Sequence, residues 1–138
     1  DVYSGQLKLK GEEHMSTLGA ANNYASTLIS LQRFEESKAV SRKMIPVVRR
    51  MFGESKDLTL RMKTLHAQAL YMDPGATLDD LREAVEMLED TTRIARRVLG
   101  ATNPITDGIE RQLRASRVAL SDASSITDAF AAMTPSPR

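Results

Sequence analysis

The sequence has 138 residues, which suits one domain with a continuous core. Its 19 basic and 18 acidic residues give a net charge of +1, which excludes the strongly basic footprint of a dedicated nucleic-acid binder. It has no cysteine, so disulfides and thiolate metal sites are excluded. No membrane-length apolar run and no leader pattern are seen, so we expect no membrane partner and a cytoplasmic location. Plentiful Ala, Leu, Met, Arg and Glu favour an all-α fold.

The first part of the chain predicts a helix pair. We interpret residues 1–10 as the end of a preceding helix, followed by a turn at Gly11. Apolar spacing then predicts helices over about residues 15–31 and 34–51. Pro46 lies inside the second helix and predicts a kink, and Gly53 is expected to end that helix with a positive φ.

The second part continues the alternation of turns and helices. Further helices are predicted over about residues 57–72, 78–99 and 104–120. Residues 73–77 form a turn by residue type, Thr77 is the expected N-cap of the next helix, and Asn103 is the expected N-cap of a helix that begins at Pro104. One more short helix, expected to close the stack, is indicated by Ile126, Phe130 and Met133. Residues 134–138 are expected to be a flexible tail.

The chain also contains an internal repeat. Residues 34–53 align without a gap on residues 81–100, an interval of 47 residues. The alignment places Arg49-Arg50 on Arg96-Arg97 and Gly53 on Gly100. The helix starts at Thr17, Thr59 and Thr106 recur after 42 and then 47 residues. Such intervals are typical of stacked helical repeats, so we expect one domain over residues 1–133, with units of about 11–52, 53–99 and 100–133.

Several motifs carry a family resemblance. They are Gly11-Glu-Glu-His-Met-Ser-Thr17, Asn22-Asn23-Tyr-Ala25, Gln32-Arg33-Phe34-Glu35-Glu36-Ser37 and Leu99-Gly-Ala-Thr-Asn-Pro-Ile-Thr106. The chain resembles the kinesin light chain-like class of tetratricopeptide repeats (TPR), which reads Leu-Gly-x-x-His-Pro-x-Thr, an Asn-Asn pair, then Gly-Arg-Tyr-Glu-Glu-Ala. It departs from that pattern where Asn103 replaces the histidine and where Thr64 and Leu65 replace the Asn pair. The resemblance implies an α-solenoid of about three antiparallel helix pairs in a right-handed superhelix.

The same resemblance implies a concave face, lined by the first helix of each pair, that holds a partner peptide or helix. An Asn side chain there can bond a peptide's main chain whatever the peptide's sequence. Arginines on this face, together with Lys63, would suit an acidic partner. The candidate partner-binding residues are Asn22, Asn23, Arg61, Thr64, Gln68, Arg111, Arg114 and Arg117.

Catalytic and metal chemistry is not indicated. His14 and His66 lie in different repeats without ligand spacing, and we interpret them as a turn residue and a helix-face residue. The acidic residues between 79 and 90 suit the N-terminal half of a helix. We interpret the doubled arginines, Arg49-Arg50 and Arg96-Arg97, as cations that stabilise helix C-termini. The alternative is that they bind an acidic peptide or a phosphate. We therefore predict no enzyme, no cofactor and no metal.

Two functions remain open from the sequence. The first is a protein–protein interaction module, or scaffold, that captures a partner peptide or helix on the concave face. The alternative is a structural subunit or spacer of a larger assembly, with the groove filled by the chain's own residues 121–138. Because the terminal helices would expose apolar faces, we also expect either homo-oligomers or flanking repeats.

Overall fold

A computed structural model describes the backbone of residues 2–133 and the side chains of residues 14–133. Over this range the chain is entirely helical, with no strand, as composition predicts. The helices are α1 (Val2–Ser30), α2 (Phe34–Phe52), α3 (Asp57–Met72), α4 (Leu78–Leu99) and α5 (Pro104–Met133).

The predicted starts of α4 and α5 are confirmed by side-chain capping. Thr77 accepts a hydrogen bond from the Asp80 amide at 3.1 Å, and the Asp80 carboxylate accepts one from the Thr77 amide at 3.0 Å. Asn103 Oδ1 accepts from the Ile105 amide at 2.9 Å, with Pro104 as the first residue of α5. The turn before α4 is also confirmed, since the Asp73 carbonyl accepts from the Ala76 amide. These local bonds fix where α4 and α5 begin.

The two glycines that align in the internal repeat have the same backbone role, because each ends a helix with a positive φ. Gly53 ends α2 with φ of 80°, and Gly100 ends α4 with φ of 90°. Their amides donate to the carbonyls of Arg49 and Arg96, at 2.8 and 3.1 Å. A non-glycine residue rarely adopts this conformation, which explains why glycine occurs at both positions. The kink expected at Pro46 stays a prediction, although α2 continues through that residue.

The turn predicted at Gly11 is wrong. A single helix, α1, runs from Val2 to Ser30, so residues 2–10 belong to it and His14 is a helix residue. A lone glycine inside a helix costs only about 1 kcal/mol relative to alanine, and this segment has no proline to stop the helix. The unit boundary expected at residue 11 is therefore not marked by a break in the backbone.

The prediction of a separate short helix that closes the stack is wrong as well. The chain continues from Pro104 to Met133 as one helix, because no glycine or proline occurs between Leu120 and Ile126. Ile126, Phe130 and Met133 are 71%, 72% and 81% exposed, so they do not cover the end of the stack. The tail predicted at residues 134–138 lies outside the described residues.

Consecutive helices pack antiparallel, and α3 also contacts α1 and α5. Ser37 Oγ of α2 donates to the Ala25 carbonyl of α1, and Lys38 of α2 reaches Asp73 after α3. Helix α3 contacts all four other helices. Within the described chain, the backbones of α2 and α4 make no contact with each other. The main cluster joins α3, α4 and α5, through Leu60, Ala67, Leu70, Ala84, Val85, Leu88, Ile94, Ala95, Ile109 and Leu113. Helix α3 is thus the centre of the fold.

Candidate functional site

A cavity of about 430 Å³ lies where α1, α3 and α5 come together. Its lining combines amide and hydroxyl side chains with an apolar portion and a single charged residue. The lining residues are Asn22, Asn23, Ser26, Arg61, Thr64, Leu65, Gln68, Pro104, Ile105, Gly108, Ile109 and Gln112. We call this space the three-helix cavity.

The lining residues occupy equivalent positions of the repeat. The offsets of 42 and 47 residues that relate Thr17, Thr59 and Thr106 also relate most of the cavity residues. The equivalent sets are Asn22 with Thr64, Asn23 with Leu65 and Gln112, Ser26 with Gln68, and Arg61 with Gly108. Equivalent faces of three alternate helices, α1, α3 and α5, therefore line the cavity.

Two amides of the cavity have capacity for further hydrogen bonds. Asn22 Oδ1 is buried and has no hydrogen-bond partner in residues 14–133. The hydroxyl of Tyr71 donates to Gln112 Oε1, which leaves both N–H groups of the Gln112 amide for another acceptor. Thr64 differs, because its hydroxyl donates to the Leu60 carbonyl at 2.7 Å within its own helix. Asn22 and Gln112 thus offer an acceptor and donors on opposite walls.

Arg61 is the one charged side chain among the residues that line the cavity. It is exposed, and it forms no ion pair with any residue of the described chain. No carboxylate lines the cavity. The electrostatic preference of this site is therefore for a negatively charged group.

The structure does not bring the three arginines of α5 or Lys63 to the three-helix cavity. Arg111 pairs with Asp107 on the exposed surface at 3.4 Å, and it does not line the cavity. Arg114 and Arg117 line a different cleft, between α4 and α5. Each residue of a helix is rotated by roughly 100° from the last, so the face that presents residues 105, 109 and 112 turns these arginines away. Five of the eight candidates share the three-helix cavity, namely Asn22, Asn23, Arg61, Thr64 and Gln68.

Lys63 is a buried residue rather than a groove residue. Its side chain is 1% exposed, and its ammonium lies 3.3 Å from both Glu54 Oε2 and Asp90 Oδ2. It links the α2–α3 loop to α4. A buried lysine is tolerated because these two carboxylates compensate its charge.

Sequence reasoning missed Gly108 and Gln112. The signal was present, since the interval of 47 residues carries Arg61 onto Gly108 and Leu65 onto Gln112. Helix placement instead selects Arg111, Arg114 and Arg117; Arg111 is the 47-residue equivalent of Thr64, and none of the three lines the cavity. The repeat offset therefore identifies two α5 residues of the cavity, although it also selects Arg111, which lies outside it.

The histidines make no site. His14 is exposed on α1, whereas His66 is 4% exposed and shares a hydrogen bond with Ser41 across α2 and α3. No group of three potential metal ligands occurs within the described residues. No helix of this part of the chain combines the length and the apolar character that a membrane span requires.

A comparison with protein families matches residues 76–105 to the tetratricopeptide repeat. The matched segment covers α4, the loop that follows it and the start of α5. Neither the curated proteins nor the solved structures gave a match. Tetratricopeptide repeats generally mediate protein–protein interactions and are typically non-enzymatic scaffolds. Over residues 76–105, this chain is similar to the tetratricopeptide repeat.

Proposed function

We propose that this protein is a tetratricopeptide-like interaction module that binds an extended segment of a partner protein in the three-helix cavity. In this proposal the helix pairs form a right-handed solenoid of the kinesin light chain-like class, and α1, α3 and α5 line its concave face. The motif resemblance supports the class, and the match at residues 76–105 supports a tetratricopeptide repeat.

The observation that carries the proposal is the amide lining of the cavity at repeat-equivalent positions. Asn22 Oδ1 can accept a hydrogen bond from a peptide N–H, and the Gln112 amide can donate to a peptide carbonyl. An extended peptide needs both kinds of partner, because its own main chain has no internal hydrogen bonds. These amides would hold the main chain regardless of the peptide's sequence.

Side-chain preference would come from the remaining lining. Leu65, Ile105 and Ile109 form an apolar portion that suits one aliphatic side chain of the ligand. Arg61 favours one carboxylate, supplied by an acidic side chain or by a C-terminus. We therefore propose a ligand with one apolar and one acidic group, which is narrower than the broadly acidic peptide expected from sequence.

A binding selection followed by NMR mapping tests this proposal. A random peptide library is selected on the whole chain, and a selected peptide is titrated into isotope-labelled protein. We expect the side-chain amides of Asn22, Gln68 and Gln112 to shift, since they line the cavity. Shifts confined to α2 and α4 would contradict the proposal.

A second candidate function is self-association in a larger assembly through α5. Ile126 and Met133 are apolar and mostly exposed on the helical extension beyond the stack. The version in which the chain's own tail fills the groove is wrong for residues 121–133, because these residues continue α5 and none of them lines the cavity. Self-association would leave the three-helix cavity open.

A further inference from the structure

A second cleft of about 430 Å³ lies between α4 and α5, away from the three-helix cavity. Four of its side chains are arginines and two are glutamates. The residues that line it are Glu89, Thr92, Arg93, Arg96, Glu110, Leu113, Arg114 and Arg117. We call it the arginine cleft.

The charged residues of the arginine cleft form a crossed ladder. Each helix supplies a glutamate, an arginine four residues later and a second arginine three residues after that, which gives Glu89, Arg93 and Arg96 on α4 and Glu110, Arg114 and Arg117 on α5. Because the helices are antiparallel, each glutamate meets the last arginine of the other helix. The Arg96 Nε to Glu110 Oε1 distance is 2.5 Å, and the Arg117 Nη2 to Glu89 Oε2 distance is 3.7 Å.

The middle of the ladder has two arginines and no carboxylate from the opposite helix. The register of the two outer pairs places Arg93 of α4 level with Arg114 of α5. Arg93 is paired only within its own helix, to Asp90 at 3.2 Å. Arg114 has no hydrogen bond or close ion pair in the described chain, although its charge helps the Arg96 hydrogen bond to lower the pKa of Glu110. Arg93 and Arg114 therefore both line the cleft, and neither is paired with a carboxylate of the opposite helix.

An unpaired hydroxyl lies beside them. Thr92 lines the cleft, is 8% exposed, and its Oγ1 has no hydrogen-bond partner in residues 14–133. Its neighbour Thr91 instead donates to the Met87 carbonyl at 2.7 Å. A buried hydroxyl without a hydrogen-bond partner is unfavourable, so a ligand that accepts its proton is favoured.

We propose that the arginine cleft binds the phosphate monoester of a phosphorylated partner protein, between Arg93 and Arg114, with the Thr92 hydroxyl donating to one phosphate oxygen. A phosphate monoester carries a charge of about −1.5 to −2 and three acceptor oxygens, enough for both guanidinium groups and the hydroxyl. A single carboxylate would only repeat what Glu89 and Glu110 already supply. The side chains of Arg93, Arg96 and Arg117 are 71%, 59% and 55% exposed, so a phosphate carried on another chain can reach the cleft.

The proposal is tested with defined probes and the whole chain. The probe is a short glycine-flanked phosphoserine peptide, compared with its serine and glutamate versions and with inorganic phosphate, by calorimetry and NMR. We expect the phosphopeptide to shift the amides of Thr92, Arg93 and Arg114. The glutamate version and inorganic phosphate should each bind at least roughly tenfold more weakly, because they lack the dianion or the peptide contacts.

Variants separate a built site from general electrostatic attraction. Arg114→Gln should weaken the phosphopeptide roughly tenfold, and Thr92→Val should weaken it severalfold without changing the net charge. The matched control is Arg82→Gln, which removes an exposed arginine of α4 that pairs with Asp79 outside the cleft and should change affinity little. Asn22→Ala, in the three-helix cavity, should leave phosphopeptide binding unchanged, so the two proposals can fail separately.

Three results would overturn the proposal. Equal binding of the phosphopeptide and the glutamate peptide would mean that the cleft does not select phosphate. Equal binding of inorganic phosphate and the phosphopeptide would exclude a phosphorylated partner chain as the source. Unchanged affinity in a folded Arg114→Gln protein would show that the crossed ladder is not the binding site.

Discussion

Ser41 Oγ lies 2.6 Å from His66 Nδ1, and this hydrogen bond joins α2 to α3 inside the protein. The Ser41 hydroxyl also donates towards the carbonyls of Ser37 and Lys38. A neutral imidazole whose Nδ1–H donates to Ser41 satisfies this arrangement. Burial, and then the positive charges of Arg42 and Lys38, lower the pKa of His66 from 6.5 to about 4.

This pKa shift predicts acid sensitivity between about pH 6.5 and pH 4. In the unfolded chain His66 takes up a proton near pH 6.5, whereas in the folded protein it stays neutral until about pH 4. The unfolded state binds more protons in that window, so the free energy of unfolding falls as the pH falls through it, by about 2–3 kcal/mol from this group. Urea unfolding at pH 7.0 and 4.5 measures the loss. The loss of stability between pH 7.0 and pH 4.5 should be smaller in His66→Gln than in the wild type. It should be unchanged in the control His14→Gln, because His14 is exposed.

A second prediction concerns the buried ammonium of Lys63. Asp90→Asn removes one of its two compensating carboxylates and should lower the free energy of unfolding by about 1–2 kcal/mol, since Asp90 is itself half exposed. Lys63→Met removes the buried charge and keeps the volume, so it should change stability by less than about 1 kcal/mol.

The test of this prediction is a double-mutant cycle by urea unfolding. In the Lys63→Met background, Asp90→Asn should have much less effect than in the wild type. Glu86→Gln, an exposed substitution on the same helix, should stay within about 0.5 kcal/mol of the wild type. Additive effects of Lys63→Met and Asp90→Asn would mean that the ion pair does not couple α3 to α4.

A third prediction compares Gly100, whose backbone conformation requires glycine, with Gly108, whose helical conformation does not. Gly100→Ala should destabilise the protein by about 1–3 kcal/mol, because a side chain is strained at φ of 90°. Gly108→Ala should stabilise it by about 0.5–1 kcal/mol, because Gly108 lies inside α5 and the nearest atom to an added Cβ is 3.8 Å away. The midpoint of thermal unfolding should therefore fall for Gly100→Ala and rise for Gly108→Ala.

A fourth prediction concerns the extension of α5. A chain that stops after Leu120 loses residues 121–133, most of which are exposed, together with residues 134–138, so its free energy of unfolding should change by less than about 1 kcal/mol. In light scattering across a concentration series, the truncated protein should self-associate less than the whole chain, since Ile126 and Met133 are removed. A large loss of stability would mean that the extension supports the stack.

The sequence was a good guide wherever local chemistry determines the structure. The caps at Thr77 and Asn103 and the terminating Gly53 follow from side-chain or backbone preferences that act within a few residues. It was a poor guide at Gly11, because whether one glycine interrupts a helix depends on a small free energy that neighbouring residues outweigh.

The candidate site was predicted in part for a similar reason. Asn22 and Gln68 followed from the motif and its helix face, and both line the cavity. Arg114 and Arg117 were selected by helix placement alone, but the face of α5 that reaches the cavity depends on its packing against α3 and α4. The burial of Lys63 depends on carboxylates 9 and 27 residues away, which helix periodicity alone does not reveal.

The most direct test of peptide binding in the three-helix cavity is to fill the cavity. Gly108→Trp places a large side chain in the lining, where the nearest atom to an added Cβ is 3.8 Å away, and Val118→Trp places the same side chain on an exposed part of α5 outside the cavity. We would measure by calorimetry the affinity of a peptide selected on the wild-type protein. The proposal predicts at least roughly tenfold weaker binding for Gly108→Trp and little change for Val118→Trp. Equal affinity for the wild type and a folded Gly108→Trp protein would contradict it.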